Sequence, residues 1–127
     1  MIPIIGEVRA GSPVLAAEQI EGHLAIDEDL ASSKEVFLLR VKGNSMVQAG
    51  ILEDDLVLVR SQSTAENGEV AVALIGDETT VKRFYRDRDH IRLEPANDKL
   101  KPILITPDSG EFRILGKVVG LIRRSVR

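Results

Sequence analysis

The 127-residue chain contains no cysteine. It therefore has no disulfide framework, no thiolate nucleophile and no finger-type zinc site, a pattern that fits a reducing compartment. Histidine is nearly as scarce. His23 and His90 stand far apart without ligand-spaced neighbours, so neither a metal site nor a cofactor is expected. An excess of basic residues is also missing: the formal charge of −3 argues against a domain that coats nucleic acid, and Arg123, Arg124 and Arg127 read as a solvated tail. No apolar run approaches the roughly 20 residues needed to span a bilayer, and the first residues do not resemble a signal peptide. The expected location is the cytoplasm, with no membrane partner.

What the chain does have is length for one domain, enough to bury about two-thirds of the surface its unfolded form exposes. Glu35 to Val41, Asp55 to Arg60, Glu69 to Ile75 and Thr79 to Tyr85 are rich in Val, Leu and Ile and bounded by polar or glycine-bearing turns, as strands are. His90 to Glu94, Pro102 to Thr106 and Phe112 to Ile122 continue the series. Asn67-Gly68 and Gly76-Asp77 tolerate positive φ, and the second pair separates two runs closely enough for a hairpin. Ala16 to Ile20 and Met46 to Gly50 are long enough for only a turn or two of helix. The expectation is a mostly β fold of short strands and hairpins with very little helix. Pro3, Gly6, Gly11 and Pro13 break the start into short extended pieces, so residues 1–15 are expected to form a mobile arm ahead of a domain at 16–127.

Two residues stand out chemically. Ser45 follows an apolar strand in a turn made by Gly43 and Asn44, where a side chain can project while neighbouring backbone N–H groups stay unpaired, as a nucleophile beside an oxyanion hole requires. Gly-Asn-Ser is equally an ordinary turn. On the Thr79 to Tyr85 strand, alternation sets Thr80, Lys82 and Phe84 on one face and Thr79, Val81, Arg83 and Tyr85 on the other. If the Lys82 face turns inward, burial disfavours the ammonium; lowering a lysine from about 10.4 to near 7 takes roughly 4–5 kcal/mol. A neutral amine can then take a serine proton. The alternative is an exposed edge-strand lysine, and spacing does not decide between them. Other chemistries fare worse: His90 lies in a charged turn, the Gly-x-Ser-x-Gly elbow is missing, Glu53-Asp54-Asp55 and Asp87 with Asp89 read as turn carboxylates, and Gly43 belongs to no phosphate-binding fingerprint.

A longer pattern runs through these residues. Ala10-Gly11 before Ser12-Pro13, Glu21-Gly22-His23, Phe37 to Val41 leading into Gly43-Asn44-Ser45-Met46, Gly50-Ile51, Asp54-Asp55-Leu56, Val81-Lys82-Arg83, Pro102-Ile103 and Gly116 to Arg123 resemble, in order, the C-terminal self-cleavage and dimerisation domain of the LexA family of peptidase S24 and UmuD-like proteins. The separations of Ala10, Ser45 and Lys82 agree, and the resemblance covers nearly the whole chain.

The resemblance implies a LexA and signal-peptidase-like β fold. It implies Ser45 as nucleophile, Lys82 as general base, the Ala10-Gly11 bond as substrate, and backbone N–H groups of Asn44 and Ser45 as oxyanion donors. It further implies an SOS repressor inactivated by its own cleavage when the activated RecA filament favours docking of the arm, and a homodimer. DNA would be bound only through an N-terminal helix-turn-helix domain, which residues 1–127 do not include. The apolar last strand, with Val118, Val119, Leu121 and Ile122, is the expected dimer edge. Two other readings remain open: a UmuD-like translesion-synthesis accessory, and a non-catalytic dimerisation module. A signal-peptidase-like enzyme acting on other proteins is disfavoured for want of a membrane anchor.

Overall fold

Runs of four to seven aliphatic residues between polar turns are too short for buried helices and pair instead as strands. The computed structural model, which describes residues 1–9, 11, 13–27 and 35–124, is mostly β. In chain order the strands are β1 (Ile2–Ile5), β2 (Ile20–Leu24), β3 (Val36–Arg40), β4 (Leu56–Ser61), β5 (Val70–Ile75), β6 (Glu78–Arg86), β7 (Ile91–Glu94), β8 (Ile103–Ile105) and β9 (Phe112–Ile122). Single 3₁₀ turns at Ala17–Gln19 and Val47–Ala49 stand where short helices were expected. Among the described residues no helix is long and apolar enough to cross a membrane.

The strands form one sheet in the order β2-β1-β3-β4-β9-β5-β6-β7-β8. All pairings are antiparallel except β1 beside β3. Among the described residues there is no long helix to cover the sheet, and the continuous runs of β3, β4 and β5 are what a strand buried on both faces looks like. One face carries Phe37, Leu39, Val57, Val59, Val72, Leu74, Val81 and Leu115 in a central core. The alternate positions fill two further cores: Val36, Leu38, Leu56 and Leu58 at one end, and Ala71, Ala73, Phe84, Leu93 and Ile114 at the other.

β9 is the spine. Its first half pairs with β5 as far as Lys117, and its second half pairs with β4 from Gly116 to Ile122. Gly116 sits at the crossover, where an added Cβ would collide with the Arg60 carbonyl and the Val59 side chain, so only glycine lets the three strands approach. The β5–β6 hairpin closes through Gly76 and Asp77, with Gly76 at φ 59° in the first central position that type II′ turns reserve for glycine.

Two strands were not anticipated. Pro3 in β1, Gly6 directly after it and Gly22 in β2 hide the alternation, yet Ile2 to Ile5 pair with Ile20 to Leu24 on one side and, through Ile4 and Ile5, with Leu38 and Leu39 on the other. The segment expected as an arm thus begins with a strand of the sheet, and its Ile4, Ile5 and Val8 are buried. Pro3 lies where β1 pairs only with the edge strand β2, which limits the cost of its missing N–H.

Candidate active site

Ser45 stands on a loop whose two ends are tied together. Val41 N donates to the Asp55 carbonyl and Asp54 N to the Val41 carbonyl, both at 2.9 Å. Gly43, at φ 78°, turns the chain out of β3 in a conformation that other residues resist. Beyond the serine, Ala49 N and Ile51 N both donate to the Met46 carbonyl, at 3.0 and 3.2 Å, and the Met46 side chain, 1% exposed, plugs the loop into the central core. The segment after β7 braces the other side: Ala96 N donates to the Ser45 carbonyl and Gln48 N to the Ala96 carbonyl, both at 2.8 Å, while Asn97 Nδ2 donates to the Asn44 carbonyl at 2.9 Å. The backbone N–H groups of Asn44 and Ser45 have no acceptor among the described residues.

Lys82 comes from the middle of β6, directly opposite Ala71 of β5, whose methyl leaves room for the long side chain. The Lys82 face does turn inward. Only 8% of the residue is exposed, and Nζ donates to Ser45 Oγ at 3.0 Å. Thr80, two residues earlier on the same face, has its Oγ1 in contact with the same Nζ. Burial pushes the amine below the ordinary lysine value, and the negative charge of Glu78 opposes that shift. Serine and amine open together into a cleft of about 410 Å³, lined also by Gly6, Glu7, Gly43 and Asn44.

Ala10 lies outside the described residues. Gly11 lines a different cleft, with Leu74, Gly76 and Phe112, and is not among the residues around Ser45. The flanks of this segment are held. Val8 is fully buried; its N–H donates to Thr79 Oγ1 at 3.3 Å, and the same hydroxyl donates to the Val8 carbonyl at 3.4 Å. Gln19 is also buried. With its amide oriented to satisfy both ends, Nε2 donates to the Pro13 and Val14 carbonyls at 3.0 and 3.1 Å and Oε1 accepts from Arg9 N at 3.2 Å.

The four expected edge residues divide by strand alternation. Val119 and Leu121 point outward, 38% and 42% exposed, whereas Val118 and Ile122 pack against the cores. Pairing of β9 with β5 stops at Lys117, so from Val118 onward one edge of β9 has no strand beside it among the described residues.

One sequence expectation is corrected here. Arg123 is not a solvated tail residue: its Nε donates to Asp55 Oδ1 at 2.7 Å and its Nη2 to Asp55 Oδ2 at 2.6 Å. Asp55 is correspondingly not a mere turn carboxylate. It is 2% exposed, and the guanidinium holds its carboxyl below the usual carboxylate range. The partners are 68 positions apart, a separation that no local pattern reveals. Thr80 was on the correct face by alternation, but nothing local identifies its contact with Lys82; Ala96 and Asn97 carry no signal of their bracing role.

Comparison with known proteins is consistent with this geometry. A "LexA repressor" from Caldicellulosiruptor saccharolyticus is 50% identical over 97% of this chain and 59% of its own length. Another from Geotalea uraniireducens is 52% identical over 96% of this chain and 61% of its own, and one from Ruminiclostridium cellulolyticum is 50% identical over 97% and 56%. The chain thus spans somewhat over half the length of these curated relatives. The Peptidase S24-like family model matches residues 3–119, nearly the entire sheet, and the chain belongs to that family.

Proposed function

We propose that this chain is the self-cleaving and dimerising part of a LexA-type SOS repressor, a cytoplasmic protein that inactivates itself by cutting its own Ala10-Gly11 bond. The observation that carries this reading is the 3.0 Å contact between Ser45 Oγ and the amine of Lys82, a residue only 8% exposed. Neutral Lys82 Nζ accepts the Ser45 hydroxyl proton as Oγ attacks the Ala10 carbonyl carbon. The developing oxyanion accepts from the unengaged N–H groups of Asn44 and Ser45. The C–N bond then breaks, the Lys82 ammonium returns its proton to the Gly11 nitrogen, and the Ala10 acyl group remains as an ester on Ser45. Water, deprotonated by the same amine, releases it. Thr80 Oγ1 helps aim the amine.

For the bond to meet the nucleophile, the segment around Gly11 must leave the cleft by Gly76 and enter the one by Ser45. Of residues 1–15, those that follow β1 act as the cleavable arm on the 16–127 domain, while β1 itself stays in the sheet, and a small residue followed by glycine suits the close backbone approach of about 3–3.5 Å. The activated RecA filament is the partner expected to favour the docked arm. A second copy of the chain pairs along Val118–Ile122 through the outward Val119 and Leu121, and operator DNA is contacted only by an N-terminal domain of the whole repressor. No metal or cofactor takes part in these steps.

Intact mass of the chain, followed over time at pH 7 and pH 10 beside Ser45→Ala and Lys82→Ala, tests the reading. Loss of residues 1–10 in the parent alone, faster at pH 10, is the expected result. Equal loss in the variants would refute the dyad; no loss in any of them would favour the non-catalytic dimerisation module.

A further inference from the structure

We propose that Arg123 is a positioning residue for Ser45, fastening the far side of the serine-bearing loop to the end of β9. The proposal rests on the autoproteolytic reading of Ser45 and Lys82. Arg123 follows Ile122, the last residue of β9, and lines no part of the Ser45 cleft. Its guanidinium reaches the loop at two places: both oxygens of the Asp55 carboxylate, at 2.7 and 2.6 Å, and the Gly50 carbonyl, at 2.9 Å from Nη2. The carboxylate gathers a third, because Asp55 Oδ2 also accepts from Leu52 N at 2.7 Å. Gly50, Leu52 and Asp55 therefore converge on one ion pair. From there the connection to the nucleophile is short: Ile51 N holds the Met46 carbonyl, and Met46 is bonded to Ser45.

The loop is thus gripped from two sides. Ala96 and Asn97 hold its serine turn, and Arg123 holds its return limb. Asp55 is almost fully buried, so losing the guanidinium leaves a carboxylate without its cation, and the return limb must shift to let water reach it. A displacement of about 1 Å at the nucleophile lowers a rate by roughly a hundredfold. A lysine is no equivalent, since a point charge on a flexible stem cannot span both carboxylate oxygens and the Gly50 carbonyl together.

The test is the full pH dependence of self-cleavage for the parent, Arg123→Lys and Arg123→Ala. We expect the high-pH plateau to fall at least about tenfold in Arg123→Ala, and by less in Arg123→Lys, while the pH of half-maximal rate stays where it is, because burial and the Glu78 charge, which shift the Lys82 amine, do not involve Arg123. Amide hydrogen exchange across residues 46–52 should quicken in the same variants, with β5 and β6 unchanged. An unaltered plateau overturns the proposal, as does a change confined to the half-maximal pH. If Arg123→Ala does not fold, Arg123→Lys decides by the same criteria. If the parent does not cleave at all, the autoproteolytic reading fails separately, and unchanged exchange over 46–52 then overturns the role given to Arg123.

Discussion

The pH dependence expected of the proposed self-cleavage follows directly from where Lys82 sits. An amine at the ordinary value of 10.5 is neutral in only about one molecule per thousand at pH 7.5, and each unit of pH raises that fraction about tenfold. If neutral Lys82 is the base, the first-order rate climbs with a slope of one in log rate against pH and levels off at the amine's own pKa in the folded chain. Burial lowers that pKa, so the levelling must come below 10.5. Glu78 pulls the other way from the same strand, and Glu78→Gln should move the break to lower pH and speed cleavage at every pH below it. The remaining charged groups around the cleft are Glu7, Arg40, Lys42 and Asp77. Time courses by intact mass between pH 6.5 and 11, with Ser45→Ala as the blank, give the profile. A rate still rising tenfold per unit through pH 10.5, or a profile unchanged by Lys82→Ala, would refute the assignment of the base.

The same burial has a stability consequence. A lysine whose folded value is depressed weakens the fold fully below that value and not at all above the unfolded one, because between the two the unfolded chain holds the extra proton. Lys82→Met should therefore raise the melting temperature at pH 7, with an advantage that shrinks as the pH approaches 10.5; an advantage growing with pH would contradict it. Gly116→Ala forces a Cβ against the Arg60 carbonyl and should cost about 1–3 kcal/mol in urea unfolding. An unmoved midpoint would show that the β4–β9 crossing yields more easily than its geometry implies. The double variant Val119→Asp, Leu121→Asp places two charges on the outward side of the open edge, and sedimentation should report dissociation of the proposed dimer with the melting profile of the monomer intact. Persistent dimers would move the interface elsewhere.

Much of this could be read before any fold was known. β3 to β9 fall within one or two residues of their expected places, because a run of Val, Leu and Ile between polar turns has few alternatives to a strand. The full span of β9 was legible for that reason, and so was the Gly76-Asp77 hairpin. β1 and β2 were missed because Pro3, Gly6 and Gly22 mask their period, and their pairing rests on β3, a partner remote in sequence.

Strand alternation put Lys82 on a face with Thr80 and Phe84, but it is silent on which face meets solvent. That was decided by the tertiary packing, which buries Ala71 and Phe84 in a core and carries Lys82 inward beside Ser45. Arg123 is the clearest case. By sequence it is one of three arginines near a chain end; in the fold it closes on a carboxylate 68 residues away. Local sequence determines which segments pair and which residues share a side, since those depend on periods of two and on turn chemistry. Burial, and with it the state of an amine or the partner of a charge, depends on what the rest of the chain brings alongside, and only the tertiary structure decides it.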